Sequence, residues 1–227
     1  ISFNGPHAKY VKKSNNSVQK ILKIMRNFKL ISNYYSIKIY KQIPVFAGLG
    51  GGSSNAASLL KFLSKRKIED KIFNKIINLA GSDLRLFFYN QGVLQNLEKV
   101  IKFKKKYNLF FLVVYPNIKC STKEVYSKVK NYNKKKVIKQ NYQNKVALIN
   151  QILKLKNDLQ SIVEKKYPVI QKLLLNISNE KGCYFSRMTG SGSACYGLFR
   201  DKRSSKVALK RLRKKYPKFW FSIAKTI

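Results

Sequence analysis

The stretch that decides the fold runs from Pro44 to Ala57 and reads PVFAGLGGGSSNAA. Its three consecutive glycines, Gly50 to Gly52, let the backbone approach a ligand closely because no Cβ atom is in the way. Ser53 and Ser54 follow at once, and the run Ala-Ala-Ser-Leu-Leu behind them favours a helix. The glycines therefore precede a helix N-terminus, whose free N–H groups and dipole bind anions such as phosphate.

Spacing separates this loop from better-known glycine motifs. No Gly-Lys-Ser/Thr follows the glycines, so the loop is not a Walker A motif, and it does not match the G-x-G-x-x-G dinucleotide fingerprint in a βαβ setting. A flexible glycine linker is disfavoured because a linker would not lead directly into a helix. A phosphate-binding loop is the interpretation that the pattern favours.

The composition indicates a folded but very basic protein. Of 227 residues, 44% are hydrophobic and 13% aromatic, enough to build a core. Lys and Arg number 48 against 9 Asp and Glu, a formal net charge of +39. The lysines are scattered, and Ile, Asn, Tyr and Phe are abundant too, which favours drift toward A/T-rich codons over a nucleic-acid footprint. We therefore expect no specific nucleic-acid partner.

The cysteines and the hydropathy pattern limit the setting of the protein. Three cysteines without a C-x-x-C pair suggest neither a disulfide framework nor a zinc site. The longest apolar run, Leu109 to Tyr115, is too short to span a bilayer and reads as a buried strand. Ile1 opens the chain without a signal-peptide layout, so we expect residues upstream of it and a bacterial cytoplasmic or plastid stromal location.

Periodicity predicts alternating helices and strands in the first half. An amphipathic helix over Val18 to Phe28 has N-cap candidates in Asn15, Asn16 and Ser17. The remaining predicted elements are a strand over 35–39, a helix after the glycines, a helix over 69–79 that Gly81 ends, a strand over 84–89 and a polar, turn-rich stretch over 92–106.

The second half starts afresh after a boundary placed at residues 104–108. The patterns predict strands over 109–115, 183–188, 195–199 and 219–225. They predict helices over 122–130, 146–156, 158–178 and 203–215, with Asp158 as an N-cap. Strands interleaved with helices on one side indicate an α+β sandwich of the split βαβ kind.

Three motifs in this order resemble those of the GHMP kinase family. They are Pro44 to Ala57, Gly81 to Phe88 (GSDLRLFF) and Met188 to Ser193 (MTGSGS), and the stretch Asn157-Asp158-Leu159 agrees as well. The resemblance covers essentially the whole chain. It implies a two-domain α+β fold, with a ribosomal-protein-S5-like N-terminal domain over residues 1–106, a ferredoxin-like C-terminal domain over 107–227, and ATP between the two halves.

The same resemblance implies an ATP-dependent small-molecule kinase. The triple glycine is most similar to the branch that phosphorylates the 2-hydroxyl of the methylerythritol part of a cytidine diphosphate sugar alcohol, in non-mevalonate isoprenoid precursor biosynthesis. That enzyme would be a monomer or homodimer without a membrane partner. Two alternatives remain: a homoserine- or mevalonate-type kinase, which usually has a shorter glycine run, and a non-catalytic basic protein that binds RNA on a related fold.

The resemblance also implies which residues hold ATP and Mg²⁺. The Ser54 hydroxyl would lie on or near Mg²⁺, and a second set of backbone donors would come from the third motif, although a tight turn between strands explains its glycines as well. The residues expected around the phosphates are Pro44, Val45, Phe46, Ala47, Gly48, Leu49, Gly50, Gly51, Gly52, Ser53, Ser54, Gly190, Ser191, Gly192 and Ser193.

Asp83 is the expected catalytic carboxylate. With His7 the only histidine, and outside any apolar pattern, a base must come from a carboxylate or a lysine. Asp83 is the carboxylate placed between a helix-ending Gly-Ser and an apolar segment, although an ordinary strand-entry Asp is the alternative. Tyr126 matches the position of a family aromatic that stacks on cytosine, and a core tyrosine on a helix face is an equal alternative.

The chain departs from the family pattern in three places. The A-K-[IL]-N-L motif with a catalytic lysine, and the G-Y-H motif that holds cytosine, have no counterpart. We therefore expect activity near background for these 227 residues alone. Arg85 replaces the expected proline, and Gln95 to Glu98 stand where a G-x-G-E turn is usual.

Overall fold

The computed structural model describes residues 1–64, 68–95, 99–130 and 142–227. The chain divides into two compact units, of which the first comprises Ile1–Val45 and Gly50–Phe103. The second comprises Phe46–Leu49 and Lys104–Ile227. The four residues Phe46–Leu49 thus group with the second unit, which a single boundary near residue 106 did not anticipate; the two domain ranges themselves stay a prediction.

The first unit is built on three helices. They are α1 (Ser17–Asn27), α2 (Gly51–Leu63) and α3 (Asp70–Ala80). Strands β1 (Ser2–Asn4) and β2 (Lys38–Tyr40) pair in parallel, and β3 (Gly92–Gln95) pairs with β4 (Lys99–Lys102) as an antiparallel hairpin. Two 3-10 helices cover Ala8–Tyr10 and Ser82–Phe88. The helices bury one apolar face each in a common core, which includes Ile21, Met25, Leu60, Ile76 and Leu84.

The start of α1 confirms the predicted cap. The Asn16 side chain accepts hydrogen bonds from the Val18 and Gln19 N–H groups, both at 3.1 Å. Gln19 Oε1 accepts the Asn16 N–H in return at 3.2 Å. This reciprocal capping box satisfies amides that would otherwise be left free at the helix end.

Three predictions in the first unit are wrong. Residues 84–89 do not form a strand, because Leu84 and Phe87, three positions apart, both pack on the core, which is the period of a 3-10 helix. The polar stretch 92–106 contains the hairpin of β3 and β4, whose short apolar cores, such as Val100 and Ile101, are masked by flanking lysines. The strand predicted over 35–39 is confined to Lys38–Tyr40. Glu98, predicted in a turn, lies outside the described residues.

The second unit is a four-stranded sheet with helices. Its strands are β5 (Phe110–Tyr115), β6 (Cys183–Met188), β7 (Cys195–Phe199) and β8 (Trp220–Lys225), in the spatial order β6-β7-β5-β8 with every pairing antiparallel. Its helices are α4 (Thr122–Ser127), α5 (Lys145–Leu153), α6 (Gln160–Lys166), α7 (Pro168–Ser178) and α8 (Lys202–Lys215). This is the predicted split βαβ arrangement, with α7 and α8 packed on the sheet through residues such as Ile170, Leu173 and Ala208.

The helix ends of the second unit differ from the predictions. The helix expected over 158–178 is two helices, because Pro168 cannot continue α6 and instead starts α7 at its first position. Asp158 is not an N-cap: α6 begins after Leu159, and Asn157 Oδ1 accepts the Leu159 N–H at 3.0 Å. Helix α4 ends at Ser127, short of residue 130. Among the described helices, none is both long and apolar enough to cross a membrane.

Candidate active site

The N-terminus of α2 presents free hydrogen-bond donors. Gly50, in the left-handed conformation at φ +65°, is its N-cap, and no side chain caps the helix. The first helical hydrogen bond runs from the Ser54 N–H to the Gly50 carbonyl at 2.8 Å. Within the described residues, the N–H groups of Gly51, Gly52 and Ser53 have no acceptor. An anion placed here would meet three amides and the positive end of the helix dipole.

Close packing explains two of the three glycines. A Cβ on Gly50 would lie 3.0 Å from the Phe87 ring, in addition to needing a positive φ. A Cβ on Gly52 would lie 2.9 Å from Ser17 Oγ, which donates a hydrogen bond to the Gly52 carbonyl. Gly51 differs, since its backbone is helical and its nearest neighbours stand 3.4 Å from a Cβ position. Residue 51 therefore has room for a Cβ atom and does not need the conformational freedom of glycine.

The preceding residues of the loop are held by the second unit. Thr189 Oγ1 donates to the Gly48 carbonyl at 2.9 Å, and the Ala194 N–H donates to the Ala47 carbonyl at 3.1 Å. Gly48 has φ +69°, and a Cβ there would lie 2.8 Å from the Thr189 carbonyl oxygen. Glycine is therefore required at residue 48 by both conformation and contact.

The turn Gly190–Ser193 joins β6 to β7 and is braced from several sides. The Asn157 amide donates to the Met188 and Gly190 carbonyls at 2.9 and 2.8 Å. Ser193 Oγ donates to the Ile118 carbonyl at 2.5 Å, so this hydroxyl is committed to the protein itself. The amides of Gly190, Ser191 and Ser193 have no acceptor among the described residues. The turn is thus both a strand connection and a set of free donors, and its role toward ATP stays a prediction.

Asp83 lies in the first turn of the 3-10 helix Ser82–Phe88. Its side chain is exposed, and in the part of the chain that the structure describes the carboxylate has no hydrogen bond or ion pair. Leu84 and Arg85 beside it are buried. The Arg85 guanidinium donates to Asn74 Oδ1 at 2.9 Å and so ties this helix to α3. Asp83 is consequently an available carboxylate on a backbone that its neighbours hold in place.

Several other carboxylates are occupied. Glu124 binds Lys128 at 3.1 Å and Lys166 at 2.5 Å, and these hydrogen bonds, Lys166 first, hold the pKa of its carboxyl below the ordinary value. Glu180 faces Arg211. Asp201 caps α8 through the Ser204 N–H at 2.7 Å, which lowers the pKa of its carboxyl. These engagements support the elimination that led to Asp83.

Tyr126 lines an open pocket of about 530 Å³ on the second unit. Its side chain is 50% exposed, so it is not the core tyrosine that was the alternative prediction. The pocket walls include Asn157, Asp158, Arg187 and Gly190. An exposed aromatic ring beside cationic and hydrogen-bonding groups suits a heteroaromatic base, and the cytosine-stacking role stays a prediction.

Sequence reasoning missed Lys41 altogether, and it quoted Asn157 and Thr189 only as letters of motifs without the contacts that they make. Lys41 is one of 48 Lys and Arg residues, and no local pattern distinguishes it. Its burial, at 7% exposure, is visible only in the fold. Asn157 had been quoted within a motif, but its hold on the Gly190 carbonyl depends on a contact across 33 residues of chain.

Comparisons with known proteins place this geometry in a family. The family models "GHMP kinases N terminal domain" and "GHMP kinases C terminal" match residues 15–83 and 137–218. A 4-diphosphocytidyl-2-C-methyl-D-erythritol kinase of Pelagibacter ubique is 36% identical over 232 residues, covering 100% of this chain and 82% of its own length. The chain belongs to the GHMP kinases. A kinase of the same name from Thermodesulfovibrio yellowstonii is 32% identical, covering 96% of this chain and 79% of its own.

Solved structures show the same fold. A 4-(cytidine 5'-diphospho)-2C-methyl-D-erythritol kinase superposes with a TM-score of 0.70 at 19% identity, over 100% of this chain and 84% of its own. Homoserine kinase from Cytophaga hutchinsonii gives 0.68 at 15% identity, over 100% of this chain and 81% of its own. The predicted family and fold class are confirmed. As a member of this family the chain is a kinase, an enzyme that takes its phosphoryl group from ATP.

Proposed function

We propose that this GHMP kinase phosphorylates the 2-hydroxyl of 4-diphosphocytidyl-2-C-methyl-D-erythritol with ATP, a step of non-mevalonate isoprenoid precursor biosynthesis. The observation that carries the proposal is the similarity of the whole chain, at up to 36% identity, to kinases of that name. The fold does not separate the candidates, because homoserine kinase superposes almost as well. The triple glycine of α2 favours the cytidine-linked substrate over the homoserine and mevalonate alternatives.

The phosphates of ATP have a suitable partner at the start of α2. The N–H groups of Gly51, Gly52 and Ser53 have no acceptor among the described residues, so three neighbouring donors are available to bind an anion. The Ser53 and Ser54 hydroxyls have no hydrogen-bond partner among the described residues either. Donors that are left free by the protein suit a highly charged ligand.

Mg²⁺ is compatible with these residues. The Ser54 hydroxyl is an oxygen ligand of the kind that Mg²⁺ accepts, and no described residue hydrogen-bonds to it. Mg²⁺ is usually held by one or two protein oxygens together with substrate phosphates, so a single hydroxyl of this kind is a sufficient protein contribution. When bound, Mg²⁺ would be held by the Ser54 hydroxyl together with the ATP phosphates, and it would supply positive charge against the negative charge of the transferring phosphoryl group.

Asp83 is the proposed catalytic residue. Phosphoryl transfer to an alcohol needs a group that orients the hydroxyl and accepts its proton, while positioning supplies most of the acceleration. An exposed carboxylate without a partner in the described residues can do this, and the buried side chains of Leu84 and Arg85 fix its backbone. The lysine that the family provides in its A-K-[IL]-N-L motif has no counterpart in these residues, so its task is left unassigned.

The acceptor is proposed to bind in the pocket of Tyr126. Stacking on the exposed ring would hold cytosine, and Arg187, which also lines the pocket, would favour the negatively charged diphosphate. A cytoplasmic or stromal location and a monomeric or homodimeric state stay predictions.

A binding experiment tests the proposal. Isothermal titration of the natural protein with cytidine diphosphate should show saturable binding, and homoserine and mevalonate should not displace it. Binding of homoserine or mevalonate instead of the cytidine compound would assign the chain to another branch of the family. Absence of ATP binding would contradict the kinase proposal as a whole.

A further inference from the structure

A buried lysine lies behind the glycine loop. Lys41 follows β2 directly and is only 7% exposed. Its backbone is fixed on both sides, since its N–H donates to the Asn4 carbonyl at 2.7 Å and its carbonyl accepts the His7 N–H at 3.3 Å. A Cβ on Gly5, which has φ +95°, would lie 3.0 Å from the backbone nitrogen and 3.0 Å from the carbonyl oxygen of Lys41. The side chain therefore starts from a rigid base.

The Lys41 ammonium is directed at the N-terminus of α2. Its Nζ lies 3.4 Å from the position that a Cβ on Gly51 would occupy. In the described residues Nζ has neither a hydrogen bond nor an ion pair. Burial lowers the pKa of Lys41, and the pKa of His7 is lowered first by burial and second by the Lys41 charge. In the described part of the chain, no carboxylate forms an ion pair with the Lys41 ammonium.

This placement is electrostatically unfavourable without a ligand. The buried Lys41 side chain takes its ammonium partly out of water, which costs free energy unless a counter-charge compensates it. The positive end of a helix dipole beside the ammonium adds to that cost. Asn16, Asn144 and Asp201 cap α1, α5 and α8, whereas α3, α6 and α7 share with α2 the lack of a side-chain cap. At α2 a glycine N-cap and a nearby ammonium, Lys41 Nζ, occur together.

A single anion would resolve all of these features. A phosphate at the start of α2 would accept from the free amides, meet the helix dipole and pair with the ammonium. Nζ stands within ordinary contact distance, 3.4 Å, of the Cβ position of Gly51, the first residue of α2. A lysine that only served packing would gain nothing from being directed at a helix N-terminus.

We propose that Lys41 is a phosphate-binding residue of this kinase, and that its ammonium and the amides of Gly51 to Ser53 hold one phosphate group of ATP together. The inference rests on the proposed use of α2 for ATP and adds a residue that the sequence motifs did not indicate. It makes a distinction that can be tested: Lys41 acts on the phosphates and not on the nucleoside.

The test is calorimetric binding of ATP and of adenosine to the natural protein and to four variants. Lys41→Met and Lys41→Gln remove the charge, Lys41→Arg keeps it, and Lys38→Met is the matched control on an exposed lysine of β2. A charge-assisted hydrogen bond contributes about 1.5–3 kcal/mol, so ATP affinity should fall by about 10- to 150-fold in the neutral variants. The affinity for adenosine should not change, Lys38→Met should bind ATP like the natural protein, and Lys41→Arg should retain more ATP affinity than Lys41→Met.

The outcomes separate this inference from the proposed function. Equal ATP affinity in folded Lys41→Met or Lys41→Gln and in Lys38→Met would overturn the role of Lys41 and leave the kinase proposal intact. Equal losses for ATP and adenosine would also overturn it, because they indicate a general disturbance of the loop. A natural protein that does not bind ATP would overturn both. Melting temperatures of the variants identify any that fail to fold, and the glutamine variant replaces the methionine variant if only the latter does.

Discussion

The Phe87 ring lies 3.0 Å from the position that a Cβ on Gly50 would occupy. This contact connects the glycine loop to the 3-10 helix that carries Asp83, so the proposed phosphate site and the proposed catalytic carboxylate share one packing interface. Gly50 also has φ +65°, a conformation that costs other residues about 1–2 kcal/mol. A side chain at residue 50 should therefore disturb both conformation and packing.

Gly50→Ala should lower the free energy of unfolding by about 1–2 kcal/mol and weaken ATP binding. The matched control is Gly51→Ala, because Gly51 is helical and its nearest neighbours allow ordinary contact. That variant should unfold with unchanged or slightly higher stability, since alanine is the better helix former. Urea unfolding of both proteins measures the difference. Equal stabilities would show that the left-handed cap at Gly50 imposes no constraint.

Asp83→Asn should reduce kcat by about 10²–10⁴-fold in the full-length protein, including the residues expected upstream of Ile1; this is the range for losing a positioned acid or base. Because asparagine keeps the size of the side chain, ATP affinity should change little. Asp70→Asn is the control, as Asp70 lies in the first turn of α3 and has no proposed role. Steady-state kinetics measure both variants. Unchanged turnover in Asp83→Asn would remove Asp83 from the mechanism.

Tyr126→Ala should raise the KM for the cytidine-linked acceptor while leaving the KM for ATP unchanged. Stacking of a base on an aromatic ring contributes about 1–3 kcal/mol, which corresponds to about 5- to 150-fold in affinity. Tyr184→Ala, at another partly exposed tyrosine that is not among the residues around the pocket, serves as the control. If the two alanine variants share one acceptor KM, cytosine does not stack on Tyr126.

The Cys183 thiol should make the free energy of unfolding fall as the pH rises through the alkaline range. Burial raises the pKa of its thiol to about 11, against an ordinary value of 9.0 in the unfolded chain. Between pH 9 and 11 the unfolded state releases the proton while the folded state retains it, so the free energy of unfolding falls as pH rises. Cys183→Ser removes this titration and should flatten the decline. Denaturant unfolding at several pH values compares the two, and parallel curves would show that the thiol is not buried in solution.

The elements that local patterns could predict are those whose apolar period is undisturbed. The capping box of Asn16, the strands Cys183–Met188 and Cys195–Phe199 and the glycine-led start of α2 are all local signals, and all are present. The segment 84–89 failed because its apolar run fits a strand and a 3-10 helix equally well, and only core packing of Leu84 and Phe87 decides between them.

The candidate site was predictable where a motif is contiguous and hidden where it depends on the fold. The loop amides and Asp83 belong to quoted motifs, whereas Lys41 gains its meaning only from burial beside Gly51. The grouping of Phe46–Leu49 with the second unit depends on Thr189, more than 140 residues away in sequence. Contacts of that separation leave no trace in a local pattern.

The most direct test of the proposed function is the choice of acceptor, monitored by ³¹P NMR in reactions of ATP and Mg²⁺ with the full-length protein, including the residues expected upstream of Ile1. Three acceptors are compared: 4-diphosphocytidyl-2-C-methyl-D-erythritol, homoserine and mevalonate. We predict a new phosphomonoester signal, matched by an equal amount of ADP, with the cytidine-linked acceptor alone. Transfer to homoserine or mevalonate in its place, or no transfer to the cytidine-linked compound, would contradict the proposal.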